Sequence, residues 1–380
     1  PTVRARLQKM SPLLVLVLPA TGIAAAAPKL PATGIAAAAP KPPRFRFAAT
    51  FTSHAVLQSA PARAILWGFA PTKDPVTVTD TSGTKHVATI ARAPSVGNPW
   101  NDTYVWRVAL PPVPASMHQH SFTATTAGAR AAIDDVLFGD VWVCSGQSNM
   151  AYSINGSNGN SIVHPPVNES LREISDMANY PHIRLMRFGK QSSSVPMLEP
   201  VPADRGDEYT DPITGWSSPC PGGQCRVDFS AVCWFFGRDL FDALRDAGAA
   251  RPIGLLGVYW GGTSDEEWSS QEALDRCIDV SKPDPAKSTT LWKGMLHPLL
   301  NQTIKGVTWY QGENDARHAG GRYDGYNCTF PQMIRDLRAK WHAASGGATA
   351  ADFPFGYVQL NSIGNASVYN NPTDPDDPFS

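Results

Sequence analysis

Residues 140–150 read Asp-Val-Trp-Val-Cys-Ser-Gly-Gln-Ser-Asn-Met, an apolar, β-prone run that breaks into small and polar residues. A strand that ends in so tight a turn presents the serine at its tip, Ser148, beyond the edge of the sheet. A serine nucleophile needs this setting: a rigid strand to aim it, small neighbours that leave room for substrate, and turn amides that can face a developing oxyanion. Taken alone, the segment is equally well an ordinary serine-rich strand exit.

Two later segments repeat the design. Ile253–Trp260 is an apolar run that stops at Gly261-Gly262-Thr263, followed by Asp265, Glu266, Glu267 and Trp268. Val307–Tyr310 stops at Gln311-Gly312-Glu313-Asn314-Asp315. Short continuous apolar runs suit strands covered on both faces, as in a parallel sheet. In an open α/β sheet the carboxyl ends of the strands form the crevice where ligands bind. Three exits carrying Ser, Gly-Gly and Gln/Glu/Asn therefore converge on one pocket, and together they point to a serine hydrolase with an oxyanion hole.

Periodicity sets the organisation. Residues 44–133 hold short alternating strands, among them 64–68, 75–79 and 103–109, with turn-rich links and no helical pattern, which predicts a small antiparallel β-sandwich domain. From 134 to 380 strands alternate with helices, which predicts an α/β domain with a mainly parallel sheet flanked by helices. Ser230 is placed to cap a helix over 231–247 with Val232, Phe235, Phe236, Leu240 and Leu244 on one face, ended by Gly248. Pro331 is placed to open another over 331–344, with Met333, Ile334, Leu337 and Trp341 as its stripe. Residues 190–228 read as a loop-rich insertion near the site.

At this point the chain resembles the sialate O-acetylesterases, within the SGNH (GDSL-like) hydrolases. The resemblance rests on 134–150, on Ser230–Arg238, on Trp260-Gly-Gly-Thr263 with Glu266 and Trp268, on Leu291–Pro298, on Gly306–Glu313 and on Tyr326–Pro331. With Phe45–Ala49 and Val56–Gln58 it runs from about residue 45 to about 362. It implies Ser148 as nucleophile, and an oxyanion hole from the amide of Ser148, the amide of Gly261 or Gly262, and the Gln311 side chain. It implies Glu313 as the residue that orients the catalytic histidine. Asn149, Glu266, Trp268, His297 and Asn314 are its candidate substrate contacts; Trp260, Trp268 and Trp309 could stack on sugar faces, although each taken alone is more often a core residue.

The base is the difficulty, because Ser Oγ is a poor nucleophile until a histidine takes its proton. The family carries that histidine in an Asp-x-x-His-Pro-like motif near the end of the catalytic domain. Here no histidine follows His342. Asp315-Ala-Arg-His318 has the Asp-x-x-His spacing but no following proline and the wrong place in the order; His297 lies in a family-like motif before the third strand. We read the arrangement as a chain that stops before its last βα units, with a nucleophile and oxyanion hole but without its base. His54, His86, His118, His120, His164, His182 and His342 read as surface or structural.

The remaining features point to export. Arg4, Arg6 and Lys9 precede the apolar run Leu13–Leu18, the order of a secretory signal, and the run is too short to span a bilayer. Leu18–Lys29 recurs as Leu30–Lys41, a low-complexity linker. Asn101, Asn155, Asn168, Asn301, Asn327 and Asn365 open Asn-x-Ser/Thr sites for N-glycans. Of six cysteines, Cys220 and Cys225 flank a Pro-Gly-Gly-Gln turn that can bridge them; buried Cys144 and Cys233 are expected free, and Cys277 with Cys328 is offered as a pair without a spacing argument. A net charge of −1 with no basic patch argues against nucleic acid or an anionic membrane as partner. No Cys-x-x-Cys or His-Glu-x-x-His pattern implies a metal, and no cofactor is implied.

The sequence thus predicts a secreted or lysosomal serine esterase that removes O-acetyl groups from sialic acid. The alternatives are an acetylesterase acting on a plant-type polysaccharide and a non-catalytic glycan-binding relative. Oligomeric state leaves no mark in the sequence.

Overall fold

The computed structural model describes residues 44–156, 166–200, 215–277, 288–317 and 323–360. The expected leader and repeat, part of the expected insertion, His164, His318 and Asn365 lie outside them.

One strand of 18 residues, Ala129–Gly146, organises everything else. Its first half pairs antiparallel with Ser116–Thr126, which leads on to Thr77–Asp80 and Lys85–Val87. Its second half is flanked in parallel by Ile253–Tyr259 on one side and Gly306–Tyr310 on the other. Ile183–Arg187 and Phe355–Tyr357 extend the parallel region outward on the two sides. The chain therefore runs from the central strand to one edge, returns to the strand beside the centre, and then crosses to the far side. Such a reversal opens a crevice at the carboxyl ends of the central strands.

Side chains alternate across this strand, as the pleat requires. Val141 and Val143 enter a core with Leu256, Val258, Val307, Trp309 and Trp341. Trp142 and Cys144 enter another with Ile253, Leu255, Phe229 and Trp234. Both faces are covered, which is why the run is apolar without interruption. A separate antiparallel sheet, in the order Arg46–Phe47, Ile65–Ala70, Tyr104–Ala109, Thr89–Arg92, contributes Trp67, Phe69 and Trp106 to the first core, beside Phe122 and Phe138. The architecture is mixed α/β. The domain boundary expected at 133/134 falls inside the central strand. No described helix is long and apolar enough to cross a membrane.

The helix Ala231–Asp246 covers the second core, and Ser230 Oγ accepts from the Cys233 amide at 3.1 Å, as its capping role requires. Its deepest residues are Cys233, Trp234, Gly237 and Phe241, while the expected stripe of Val232, Phe235, Phe236, Leu240 and Leu244 is only half-buried. Cys233 turns the helix this way, because it is bonded to Cys144. These two cysteines, expected free, are thus paired: strand and helix meet back to back with their Cα atoms 5.8 Å apart. Burial by itself is compatible with free thiols, but adjacency across the core makes them a bridge. Cys220–Cys225 and Cys277–Cys328 are the other two pairs.

Pro331, expected to open a helix, instead lies within Tyr323–Ala344. Its ring removes one backbone hydrogen bond from the helix interior. The turn before it is held in place regardless, by the Cys277–Cys328 bond and by a hydrogen bond from Thr329 Oγ1 to Asp265.

A partly buried ion pair joins distant parts of the fold. Asp135, in a left-handed conformation at φ 52°, accepts from both Arg184 guanidinium nitrogens at 2.7 and 3.1 Å and from His54 Nδ1 at 2.6 Å. Burial pulls the Asp135 pKa upward, but the Arg184 and His54 hydrogen bonds outweigh it and hold the carboxyl below its usual value. A depressed carboxylate stabilises the fold above its unfolded pKa and loses that contribution as pH falls through the folded value. Asp135→Asn should therefore cost about 1.5–3 kcal/mol at neutral pH, and the deficit should shrink as the pH is lowered below about 4. Urea denaturation of both proteins across pH 3–7 checks this; a pH-independent deficit would contradict it.

Candidate active site

Register brings the three strand exits to one level. Gly146 is paired with Tyr259 on one side and with Tyr310 on the other. Just beyond, the Trp260 amide donates to Gly146 O at 3.0 Å, and the Gln147 amide donates to Tyr310 O at 2.9 Å. The serine turn is thereby stitched to both neighbours. Only glycine fits at 146: φ is +140°, and a Cβ there would lie 2.1 Å from Tyr310 O.

Past this point the chain turns into the short helical segment Ser148–Ala151, with Gln147 at its cap. Ser148 and Asn149 are exposed, while Gln147 beneath them is 3% exposed. Ser148 holds the first helical position, where a backbone N–H has no acceptor within the helix. Gly261 lies directly against it: a Cβ on Gly261 would come within 3.3 Å of Ser148 Cβ. Gly262 is exposed, with φ +77°. Ser148 and the Gly261-Gly262 turn are thus neighbours, as an oxyanion pocket needs.

The third exit closes the arrangement. Asn149 Nδ2 donates to Glu313 Oε1, and Glu313 Oε2 is buried with no hydrogen-bond partner among the described residues. The Gln147 side chain reaches both ways. Its Nε2 donates to Ser148 Oγ at 3.4 Å, and its Oε1 accepts from the Asn314 amide at 3.2 Å. Sequence reasoning passed over Gln147, although it lies inside the Gly-Gln-Ser-Asn run that drew attention to Ser148.

Other expected residues sit elsewhere. Gln311, expected as an oxyanion donor, is 2% exposed and gives its Nε2 hydrogens to Thr263 O at 3.0 Å and to Asp315. Both partners are acceptors, so they dictate this orientation and occupy the amide. Trp268, expected against a sugar, is 0% exposed, packs edge-on against Trp309 and donates its indole N–H to Thr263 Oγ1 at 2.8 Å. Trp309 is buried too, and of the three tryptophans only Trp260 keeps a half-exposed face. His297, expected as a substrate contact or a weak candidate base, is held by Met197 O at 2.8 Å and packs edge-on to Trp292. Burial lowers its pKa, and no hydrogen bond joins it to Ser148 or Glu313. Glu266 is also buried, within an acidic group that sequence reasoning did not assemble.

That group lies beneath the two glycine turns. Asp265, Glu266 and Asp315 bring carboxylate oxygens within 4.8 Å of one another. Burial pushes the Asp265 carboxyl well above its usual range, and the charges of Asp315 and Glu266 add to the effect. Burial also raises Asp315, to about 6. Asp315, Gln311, Gly312, Tyr326 and Phe330 line a cleft of about 460 Å³ on this side of the third exit.

Residues 138–372 match the family described as carbohydrate esterase, sialic acid-specific acetylesterase. The chain is 34% identical over 370 residues to sialate O-acetylesterase of Mus musculus, covering 86% of this chain and 62% of that protein. To sialate O-acetylesterase of Homo sapiens it is 37% identical over 338 residues, covering 84% and 57%. The chain thus spans about three fifths of the length of these curated relatives. Among solved structures it is similar to a carbohydrate acetylesterase from Xanthomonas citri, with TM-score 0.60 and 26% identity over 83% of this chain and 60% of that one.

The close approach at Gly146 gives a direct test. Gly146→Ala combines a strained φ with contact against Tyr310 O and should destabilise the fold by at least about 2 kcal/mol. The midpoint of urea unfolding measures it, and a variant as stable as the parent would mean that the strand ends do not meet this closely.

Proposed function

We propose a function from one premise: the chain belongs to the sialic acid-specific acetylesterase family of carbohydrate esterases. The reading is a serine esterase that removes O-acetyl groups from sialic acid. The observation that carries it is the exposed Ser148, set where three parallel strands end together, against Gly261 and beside the Asn149–Glu313 pair.

In this reading Ser148 Oγ attacks the acetyl carbonyl carbon, and the carbonyl electron pair moves onto its oxygen. The amides of Ser148 and of the Gly261-Gly262 turn, already in place, stabilise that charge. The Oγ proton passes to a general base and then to the departing sugar oxygen. Water attacks the acetyl-enzyme next and releases acetate. A histidine is the base such chemistry calls for. The Oε2 of Glu313, without a partner among the described residues, suits an imidazole N–H, in keeping with the orienting role the family implies. His318, in the Asp-x-x-His spacing, lies outside the described residues.

The same reading takes the five parallel strands as an SGNH-type sheet within 134–380, and the antiparallel strands of 44–133 as a small β-sandwich ahead of it. It also takes the protein as exported to a secreted or lysosomal site. Three disulfides suit an oxidising compartment. The Asn-x-Ser/Thr residues Asn101, Asn155, Asn168 and Asn327 are exposed to glycosylation, and Asn301 is half-buried.

A second reading, a glycan-binding relative without turnover, has one observation in its favour: among the described residues no histidine bonds to Ser148 or Glu313. Acetate release separates the two. The protein carrying its general base should release acetate from O-acetylated sialic acid faster than from acetylated xylan oligosaccharides, and Ser148→Ala should abolish release. Release retained by Ser148→Ala would overturn the nucleophile, and a preference for xylan would change the substrate. Saturable binding of the sugar by a folded protein without release would establish the second reading.

A further inference from the structure

We propose that Asp265, Glu266 and Asp315 form a binding site for one hard divalent cation, calcium by preference, which clamps the Gly261-Gly262 turn to the Gln311-Gly312-Glu313 turn. The three carboxylates come from two short helical segments, Asp265–Trp268 and Glu313–Arg317, and bring their oxygens within 4.8 Å of one another. All three residues are buried, at 1%, 6% and 5% exposed.

The hydrogen bonds around the group account for part of it. Asp265 accepts from Thr329 Oγ1, while Asp315 accepts from the Asp265 amide at 3.3 Å and from Gln311 Nε2. Glu266 Oε2 is different: it is buried, it belongs to a carboxylate that joins the group, and it has no hydrogen-bond partner among the described residues. A buried charge without a partner is costly. A proton shared between Asp265 and Asp315 would relieve those two and still leave Glu266 Oε2 without a partner among the described residues. A cation relieves all three.

The donor set selects the ion. Carboxylate oxygens with neither sulfur nor imidazole among them favour magnesium, calcium or manganese over zinc or copper. Calcium accepts irregular coordination by oxygens at about 2.4 Å. Magnesium demands a tighter, near-octahedral shell. The cleft of about 460 Å³ lined by Asp315, Gln311 and Tyr326 offers a path for the ion and for waters that complete its shell. The linear sequence hides the site, because no ligand pair falls at a metal-binding spacing within one loop.

The role is structural. Thr263 O and Asp315 are already joined through Gln311, and an ion on Asp315 and Asp265 would lock the same two turns together, holding Gly261 against Ser148. The test therefore reads stability and binding, independently of esterase activity. The 380-residue chain, stripped with EDTA and returned to 2 mM calcium, should gain about 5 °C in Tm, with magnesium giving less. Terbium should bind with luminescence sensitised by nearby tryptophan and be displaced by calcium. Glu266→Gln replaces one of three crowded carboxyl groups with a neutral amide, so in EDTA it should be at least as stable as the parent, yet its calcium affinity should fall at least tenfold. Equal Tm in EDTA and calcium, or an undiminished response in Glu266→Gln, would overturn the proposal and leave the carboxylates sharing protons.

Discussion

The structure depends on the register of three parallel strands. Because Gly146 pairs with both Tyr259 and Tyr310, the strands stop at one level, and each hands its turn to the same small volume. A one-residue slip would send every side chain of a strand to the opposite face and pull its exit out of line. The fold guards against slippage on both faces. Val141 and Val143 are committed to one core and Trp142 and Cys144 to the other, and the Cys144–Cys233 bond ties the central strand to its covering helix four residues before Ser148. That bond closes a long loop, for which chain-entropy arguments give roughly 4–5 kcal/mol of stabilisation.

The rigid base explains the division of labour above it. Ser148, Asn149 and Gly262 are exposed, whereas Gln147, Thr263 and Gln311 lie buried beneath them. The buried residues spend most of their polar groups on each other and on turn backbones. Gln311 joins the second and third exits and Gln147 the first and third, so the exposed residues above them inherit fixed positions. Donors held before charge develops are what an acyl-transfer site requires. Family membership and the geometry of the exits therefore support one chemistry from separate directions.

Much of this was legible in the sequence because apolar runs ending in Gly, Ser and Gln are local signals. The three exits, the Ser230 cap and the Met333–Leu337–Trp341 stripe could each be read from neighbours in the chain. What could not be read was depth and partnership. Trp268 follows a glycine turn, as a sugar-binding tryptophan would, yet it is needed to fill the core against Trp309. Cys144 and Cys233 stand 89 residues apart, and only packing reveals that they face each other. Pro331 looks like a helix start because local rules forbid it inside, and long-range bonds to Cys328 and Thr329 override them. Asp265, Glu266 and Asp315 form a group only once two exits are brought level.

The central claim is that this convergence makes Ser148 the reactive residue of the molecule. Its most direct test is mass spectrometry of the folded chain after treatment with a fluorophosphonate, which modifies activated serines. The account predicts a single adduct on the peptide carrying Ser148, lost in Ser148→Ala. An adduct on another residue, Ser145 included, or none from a folded sample, would contradict it.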